Sequence, residues 1–270
     1  MRKIPLKGRT IVITGASSGI GAALALALAP EQVNLVLAAR RMDKLRQVAE
    51  QVRTGGSAAL ALECDVGKRE QVQALVAAAL EKFSRLDVMV ANAGFGFLAP
   101  LERTTDAQMD EIIRVNVLGT WYAMAESIPV MRRQRSGHLV LMSSAAARRG
   151  LPLMGPYAMT KAAQLSLAEA ARAELAGTGI YVSSVHPIST ATEFFDTASQ
   201  RSRAPVGGMG HTQSAQTVAR KVVRLLERPR PELWPFGPAR LGLGIAALWP
   251  GLADYFMARS PMARNSRGEK

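Results

Sequence analysis

Strand-length apolar runs alternate with longer Ala/Leu-rich segments from the N-terminus to about residue 185. The strand candidates are residues 10–14, 33–39, 58–64, 86–91, 138–143 and 180–185. The segments of helical length are residues 20–29, 43–54, 70–84, 106–135 and 157–176. Most of the apolar runs are nearly continuous, which is typical of parallel strands buried on both faces. The pattern therefore predicts an α/β fold, a Rossmann-type doubly wound parallel sheet with helices on both faces.

The composition fits one globular domain with a tail. The 270 residues are 48% hydrophobic and 20% charged, which excludes a disordered or fibrous chain. We expect residues 1–238 to form a single nucleotide-binding catalytic domain, because α/β folds of this length are often one unit. Residues 189–212 lack a clear period and are expected to form a substrate loop. Residues 239–270 are expected to be an apolar, basic and helical C-terminal extension.

The sequence argues against disulfides, metal sites, targeting segments and membrane spans. The one cysteine, Cys64, excludes an intrachain disulfide and a cysteine-only zinc site. The histidines His138, His186 and His211 lack metal-ligand spacing, so no metal site is expected. The N-terminus shows no targeting segment, and the longest apolar run, 241–252, is about half of a membrane span. We therefore expect a cytoplasmic protein.

A glycine-rich loop follows the first predicted strand and opens the first predicted helix. It reads Gly15-Ala16-Ser17-Ser18-Gly19-Ile20-Gly21. Glycines at this junction allow a tight turn and a close approach of the backbone to a pyrophosphate, next to the free N–H groups of a helix N-terminus. The loop therefore predicts a dinucleotide site, whereas the same glycines in another context would indicate only a structural turn.

The end of the second predicted strand indicates which dinucleotide is bound. An acidic residue there would bind the ribose 2′-hydroxyl of NAD, but this sequence has Arg40 and Arg41. A guanidinium can bind a 2′-phosphate through two charge-assisted hydrogen bonds, and Ser17 is available from the glycine loop. We therefore expect NADP(H) as the cofactor. The alternative is a pair of solvated arginines at the start of a helix.

Several further motifs share the order and separations of one known family. They are Thr14-Gly15-x-x-x-Gly19-x-Gly21, Asp65, Asn92-Ala93-Gly94, Asn116, Ser144 and Tyr157-x-x-x-Lys161. With these residues the chain resembles the short-chain dehydrogenase/reductase family over about residues 8 to 235. The resemblance implies a nicotinamide cofactor, with Asp65 and Val66 beside the adenine and Asn92 at the sheet edge next to the cofactor.

The resemblance weakens after the sixth strand. The family usually has Pro-Gly there, whereas this sequence has Pro187-Ile188. Isoleucine resists the positive φ that glycine allows, so the backbone is expected to differ if the turn needs that conformation. Thr192 lies five residues after Pro187, where a threonine in similar proteins binds the nicotinamide carboxamide. Pro187, Ile188 and Thr192 are therefore expected to be cofactor contacts, together with Ala93 and Gly94.

Tyr157 and Lys161 form the predicted proton-transfer pair. Four residues apart on a helix, their side chains share one face. A phenol has a pKa of about 10. A nearby ammonium together with a cationic nicotinamide would lower that pKa. Tyr157 could then exchange a proton with a substrate oxygen. Ser144, at the carboxyl edge of the sheet, is expected to hold that oxygen. The resemblance implies that Asn116 holds a water molecule that links Lys161 to solvent.

These residues together predict an NADP(H)-dependent oxidoreductase that interconverts a carbonyl and a secondary alcohol. The alternative is a noncatalytic NADP(H)-sensing or nucleic-acid-binding protein that uses the net charge of +13. The complete catalytic set argues against it, as does the scattering of the basic residues, so no nucleic-acid partner is expected. Apolar residues on the predicted loops suggest an apolar substrate; they are Phe95, Phe97, Leu151, Leu153, Phe194 and Phe195. Met154 and Met159, close to Tyr157 in sequence, could line the same pocket or pack in the core.

Two surfaces indicate partners. The alanine-rich helix 157–176 has little polar surface, which favours a homodimer or homotetramer, as the resemblance also implies. In residues 241–258, large apolar side chains recur about one turn apart and arginines flank the run. This segment could contact an anionic membrane, cap the substrate pocket or join a dimer, and these alternatives stay open.

Overall fold

The computed structural model describes residues 3–202, 212–260 and 262–263, apart from the side chains of 195–197 and 201. Within these residues, a sheet of seven parallel strands forms the centre of the fold. The strands are β1 (Thr10–Thr14), β2 (Asn34–Ala39), β3 (Ala58–Glu63), β4 (Val88–Ala91), β5 (Gly137–Met142), β6 (Ile180–Val185) and β9 (Glu232–Leu233). Their order across the sheet is β3-β2-β1-β4-β5-β6-β9. The order reverses between β1 and β4, and such a switch point opens a crevice at the carboxyl edge.

Helices cover both faces of this sheet, as predicted. The helices before residue 190 are α1 (Gly19–Leu28), α2 (Met42–Thr54), α3 (Arg69–Phe83), α4 (Asp106–Ile112), α5 (Gly119–Gln134) and α6 (Gly155–Glu174). Alternate residues of each strand enter two separate cores. Ile11 and Ile13 of β1 pack with α1, α2 and a later helix, α8 (Ala215–Glu227), whereas Val12 packs on the side of α3, α5 and α6. The continuous apolar runs thus supply one core above and one below the sheet.

The predicted helix over residues 106–135 is wrong as a single α-helix. A π-helical segment, Ile113–Leu118, separates α4 from α5. Thr105 and Gln108 form a capping box at the start of α4. The buried Asn116 lies inside the π-helical segment, and such segments are frequent at functional sites because they redirect side chains and free backbone groups.

The region after Pro187 is more regular than expected. A short parallel pair, β7 (Thr190–Ala191) and β8 (Gln213–Ser214), brackets α7 (Phe194–Ser202), and α8 and β9 follow. The expectation of a loop over 189–212 is therefore wrong for its first part, while residues 203–211, with His211, lie outside the described residues. Helix α8 and strand β9 have no counterpart in the sequence prediction. Two residues are too few to show a strand period, so β9 is recognisable only by its pairing with β6.

The C-terminal extension consists of two short helices, α9 (Gly237–Leu248) and α10 (Pro250–Ala258), and the chain bends by 112° between them. Neither helix buries any residue. Arg149 connects α10 to the body of the protein through the carbonyl of Pro250 and the carboxylate of Asp254. Among the described residues, no single helix is long and apolar enough to cross a membrane. The division expected at residue 238 stays a prediction.

Candidate active site

The glycine loop connects β1 to α1 at the switch point of the sheet. Gly15 and Gly19 have φ values of +66° and +57°, which favour glycine. A Cβ atom on Gly21 would lie 2.4 Å from the carbonyl oxygen of Gly15, so only glycine fits where the loop folds onto the helix. The side chain of Ser18 does not cap α1, which leaves the N–H groups of its first turn available to an anion.

Asn92 holds the loop from the neighbouring strand. Its Nδ2 donates to the carbonyl oxygens of Thr14, at 2.8 Å, and Gly15, at 3.2 Å. The hydroxyl of Thr14 accepts hydrogen bonds from the backbone N–H groups of Asn92 and Ala93. The predicted Asn92-Ala93-Gly94 motif therefore fixes the position of the glycine loop relative to β4.

A cationic group lies at the carboxyl end of β2. Arg41 donates from Nη2 to the Ser18 hydroxyl at 2.7 Å, and from Nη1 to Glu193 at 2.7 Å. Lys44 donates to the second oxygen of Glu193 at 2.5 Å. These two hydrogen bonds, that of Lys44 first, lower the pKa of the Glu193 carboxyl. Arg40 lines the same crevice.

Asp65 and Val66 follow β3 and border the other side of this crevice. The Asp65 carboxylate accepts the N–H of Gly67 at 3.0 Å, which holds the turn after the strand. Cys64 is buried beside it. Burial, with the nearby Asp65 charge, raises the pKa of the Cys64 thiol to about 11. Cys64 therefore stays a neutral thiol and packs as a small apolar residue, as the sequence suggests.

Ser144, Tyr157 and Lys161 lie together at the carboxyl edge of β5. Lys161 Nζ is 5.6 Å from the centre of the Tyr157 ring. Burial raises the pKa of Tyr157 to about 12, against the opposing effect of its hydrogen bond with Ser144. The expected lowering of this pKa also needs the cationic nicotinamide and stays a prediction. The phenol is protonated at neutral pH and can act as a proton donor.

Among the residues described, no carboxylate pairs with the buried Lys161 ammonium. Its Nζ donates to the Met142 carbonyl at 2.8 Å and to Gln164 Oε1 at 2.9 Å. Burial lowers the pKa of Lys161 to about 7. The amine can therefore gain or lose a proton near neutral pH, and the oxygens that face it decide how much of it is charged.

Gln164 is a residue that the sequence analysis missed. Its Nε2 donates to the Asn116 carbonyl and the Thr120 hydroxyl, both at 2.7 Å, while its Oε1 faces Lys161. The spacing 157, 161, 164 places Gln164 on the same face of α6 as the predicted pair, which is the signal that could have identified it. The chain thus links Lys161 to Asn116 through Gln164, and the water-holding role of Asn116 stays a prediction.

The Asn116 side chain is fully used within the protein. It bonds the backbone N–H and carbonyl of Phe95, at 3.0 and 2.9 Å, and donates to the Thr160 hydroxyl at 3.0 Å. These bonds tie the segment after β4 to α6, which carries Tyr157 and Lys161. In this structure Asn116 therefore holds the segment after β4 and helix α6 in their relative positions beside the cavity.

Residues 187–194 form the remaining wall. Thr192 packs on the glycine loop, since a Cβ on Gly19 would lie 3.3 Å from its Cβ. Two residues later, the Phe194 ring lies 5.4 Å from the Tyr157 ring, centre to centre. Ile188 has no positive φ, so the turn after Pro187 does not use the conformation that glycine would permit.

One cavity of about 630 Å³ connects these groups. It is lined by all the predicted site residues except Gly21 and Asn116, which lie behind its surface. The apolar side chains along it include Phe95, Leu98, Leu151, Met154, Phe194 and Met262. Phe97 and Leu153 are not part of the lining, and the side chain of Phe195 lies outside the described residues. Within the described ranges, no cluster of three or more His, Cys, Asp or Glu side chains could hold a metal ion.

Known sequences of one family are similar to this chain. The short chain dehydrogenase family profile matches residues 9–203. An uncharacterized oxidoreductase of Listeria innocua is 35% identical over 73% of this chain and 80% of its own length. A 3-oxoacyl-[acyl-carrier-protein] reductase of Staphylococcus aureus is 32% identical over 78% of this chain and 89% of its own length. Glycine betaine reductase of Emericella nidulans is 38% identical over 71% of this chain, but the match spans only 15% of that much longer protein.

Solved structures show the same fold. A short-chain dehydrogenase/reductase from Burkholderia phymatum, in complex with NAD, has a TM-score of 0.82 and 25% identity, covering 93% of this chain and 96% of that one. An alcohol dehydrogenase from Thermococcus sibiricus, complexed with 5-hydroxy-NADP, has a TM-score of 0.74 and 30% identity, covering 84% of this chain and 95% of that one.

Fold and site together define an oxidoreductase with a nicotinamide cofactor. The chain belongs to the short-chain dehydrogenase/reductase family, as its sequence predicts. Members of this family act on small-molecule carbonyl or alcohol substrates and are usually oligomers.

Proposed function

We propose that the protein is an NADP(H)-dependent oxidoreductase that interconverts a carbonyl and a secondary alcohol on an apolar small molecule. The observation that carries this proposal is one shared cavity. Ser144, Tyr157 and Lys161 line it at one end, and the glycine loop and Arg41 line it at the other. A proton donor and a dinucleotide site thus face the same space, which is what a hydride transfer coupled to a proton transfer requires.

Arginines at the end of β2 support NADP(H) rather than NAD(H). Arg40 and Arg41 both line the cavity, and the hydroxyls of Ser17 and Ser18 lie within hydrogen-bond distance of Arg41. The end of β2 carries Arg40 and Arg41 in place of the acidic residue that would bind the ribose 2′-hydroxyl of NAD. A 2′-phosphate would instead find guanidinium and hydroxyl donors together.

The bound nicotinamide would supply or accept the hydride at the substrate carbon. Ser144 would hold the substrate oxygen beside Tyr157, because both side chains line the same cavity. Tyr157, protonated at neutral pH, would give its proton to that oxygen in the direction of reduction and remove it in the reverse direction. The Lys161 ammonium would stabilise the phenolate that remains, because no other cation is as close to the ring among the described residues.

The cavity wall favours an apolar substrate. Leu98, Leu151, Met154 and Phe194 lie beside the catalytic side chains. Met262, from the residues after α10, lines the same cavity, which supports a role of the C-terminal extension at the pocket. We expect ketones or aldehydes with a bulky hydrocarbon part to bind better than small polar ones.

The exposed surfaces bear on the proposed assembly. We expect a cytoplasmic homodimer or homotetramer. Large exposed side chains of the extension, Leu241, Leu248, Trp249, Leu252 and Phe256, are each more than half exposed in the single chain. Such a surface is normally covered, either by a second copy or by a peripheral membrane contact through residues 241–258.

Three measurements test the proposal. NADPH should raise the melting temperature more than NADH at equal concentration, and consumption of NADPH should be measurable with a series of ketones and aldehydes of graded size. Tyr157→Phe should abolish turnover and leave cofactor binding nearly intact. A protein that binds NADPH but turns over no carbonyl or alcohol would instead fit the noncatalytic, NADP(H)-sensing alternative. Preferential stabilisation by NADH would remove the argument from Arg40 and Arg41.

A further inference from the structure

An internal carboxylate, Glu193, already pairs with Arg41, one of the two arginines proposed for the 2′-phosphate, and with the neighbouring Lys44. One oxygen of Glu193 accepts a hydrogen bond from Arg41 at 2.7 Å, and the other accepts one from Lys44 at 2.5 Å. Glu193 comes from the far side of the crevice, 152 residues along the chain from Arg41. In the part of the chain that the structure describes, it is the one acid that forms an ion pair with either cation.

A 2′-phosphate would compete for the same donors. The guanidinium of Arg41 directs Nη1 to Glu193 and Nη2 to Ser18, so both ends of its fork are engaged. A phosphate that binds the Nη1 and Nη2 edge of this fork competes with the carboxylate for Nη1, and the negative charge of Glu193 repels it. The uncharged 2′-hydroxyl of NAD does not need the guanidinium, so the pairing of Glu193 does not oppose it.

The competition is modest, because the three side chains are exposed. Arg41, Lys44 and Glu193 retain 49%, 48% and 40% of their side-chain exposure. Ion pairs of this kind contribute little each, but two pairs on one carboxylate give a difference that binding assays resolve, roughly three- to tenfold.

We propose that Glu193 is a specificity-determining residue that weakens the binding of NADPH relative to NADH by holding Arg41 and Lys44. The inference rests on the proposed function, since it takes the 2′-phosphate of NADP(H) as the ligand of Arg41. Glu193 lies between Thr192, on the glycine loop, and Phe194, on the Tyr157 ring. Displacement of its carboxylate therefore acts on a segment that contacts both ends of the cavity.

The experiment compares cofactor affinities of the full-length wild type and of Glu193→Gln. Dissociation constants are measured for NADPH, NADH and adenosine 2′,5′-bisphosphate, which carries the 2′-phosphate without the nicotinamide. The matched control is Glu50→Gln, which makes the same change of net charge on α2. Glu50 is exposed and pairs with Arg53 at 2.9 Å. Glu193→Gln should tighten NADPH and the bisphosphate by roughly three- to tenfold and leave NADH unchanged, while Glu50→Gln should change none of them.

Three results would overturn the inference: an equal change for NADPH and NADH, a weaker binding of NADPH, or the same gain in Glu50→Gln. A second variant pair isolates the contact with Arg41: in an Arg41→Ala background Glu193→Gln should give a smaller gain for NADPH, because only Lys44 is then released. The proposed cofactor preference is read separately, from the wild type alone. A wild type that prefers NADH contradicts that preference, whereas only the ratio between Glu193→Gln and wild type tests the role of Glu193.

Discussion

Replacing Gln164 with leucine tests how the buried Lys161 keeps its charge. Gln164 is fully buried, and its Oε1 is one of two acceptors that the Lys161 ammonium contacts, the other being the Met142 carbonyl. Leucine has nearly the same size and helix propensity, but it offers no acceptor. The substitution therefore removes the acceptor that faces Lys161, together with the two hydrogen bonds that Nε2 donates to the Asn116 carbonyl and the Thr120 hydroxyl, while the volume of the side chain is nearly preserved.

The size of the effect on the pKa of Lys161 follows from the hydrogen bond between Lys161 and Gln164. A hydrogen bond to a charged group contributes about 1.5–3 kcal/mol. At about 1.36 kcal/mol per pKa unit, its loss lowers the pKa of Lys161 by about one to two units. The pKa of Lys161 in the wild type is about 7. The amine is then about half protonated at pH 7 in the wild type and roughly a tenth or less in the variant.

The assay is the pH dependence of kcat/KM for NADPH-dependent carbonyl reduction, which reports groups of the free enzyme. Activity that needs the ammonium is retained at low pH and lost as the pH rises through the pKa of Lys161. In Gln164→Leu this alkaline decline should move toward acid by about one to two pH units.

Thr120→Val is the matched control for this prediction. It removes the Thr120 hydroxyl, which accepts from Gln164 Nε2 at 2.7 Å, but keeps the bond between Gln164 and Lys161. It should lower stability and leave the alkaline decline in place. An unchanged pH profile in Gln164→Leu, or an equal shift in Thr120→Val, would refute the reasoning.

Three other perturbations have defined outcomes. Gly21→Ala should lower stability by about 1–3 kcal/mol in urea unfolding and abolish cofactor binding, since its Cβ would lie 2.4 Å from the Gly15 oxygen. Burial lowers the pKa of His138 to about 3, below its unfolded value of about 6.5, so the folded state binds fewer protons and stability falls as the pH drops from about 6.5 to 3. His138→Gln should flatten that slope between pH 7.5 and 4.5. A stop after Arg240 should preserve cooperative melting and cofactor binding, because α9 and α10 bury no residue; loss of folding would contradict this.

The sheet could be predicted from sequence because its signal is local. Each central strand is a continuous apolar run whose alternate residues fill two cores, and this requirement is written into consecutive positions. The predicted bounds of β1 and β6 agree with the structure, and the other four predicted strands differ by at most two residues at either end. The glycine loop was recognisable for the same reason, since a positive φ at Gly15 and a close approach at Gly21 each demand glycine.

The interruption of the helix at residues 113–118 was not recognisable in the same way. The apolar pattern of residues 106–135 is compatible with one α-helix. The Asn116 carbonyl, however, accepts from the Thr120 hydroxyl and from Gln164, which lies 48 residues away. Partners on another helix therefore decide the local backbone here, and only the folded chain brings them together.

Sequence alone thus determined the family, the sheet and the residue types around the cavity, because periodicity and glycine geometry act between near neighbours. Tertiary structure decided which charges meet: Glu193 pairs with Arg41 from across the crevice, and Gln164 stands between Lys161 and Asn116. Charge pairing and pKa depend on distance and burial in space, and neither quantity is fixed by the order of residues along the chain.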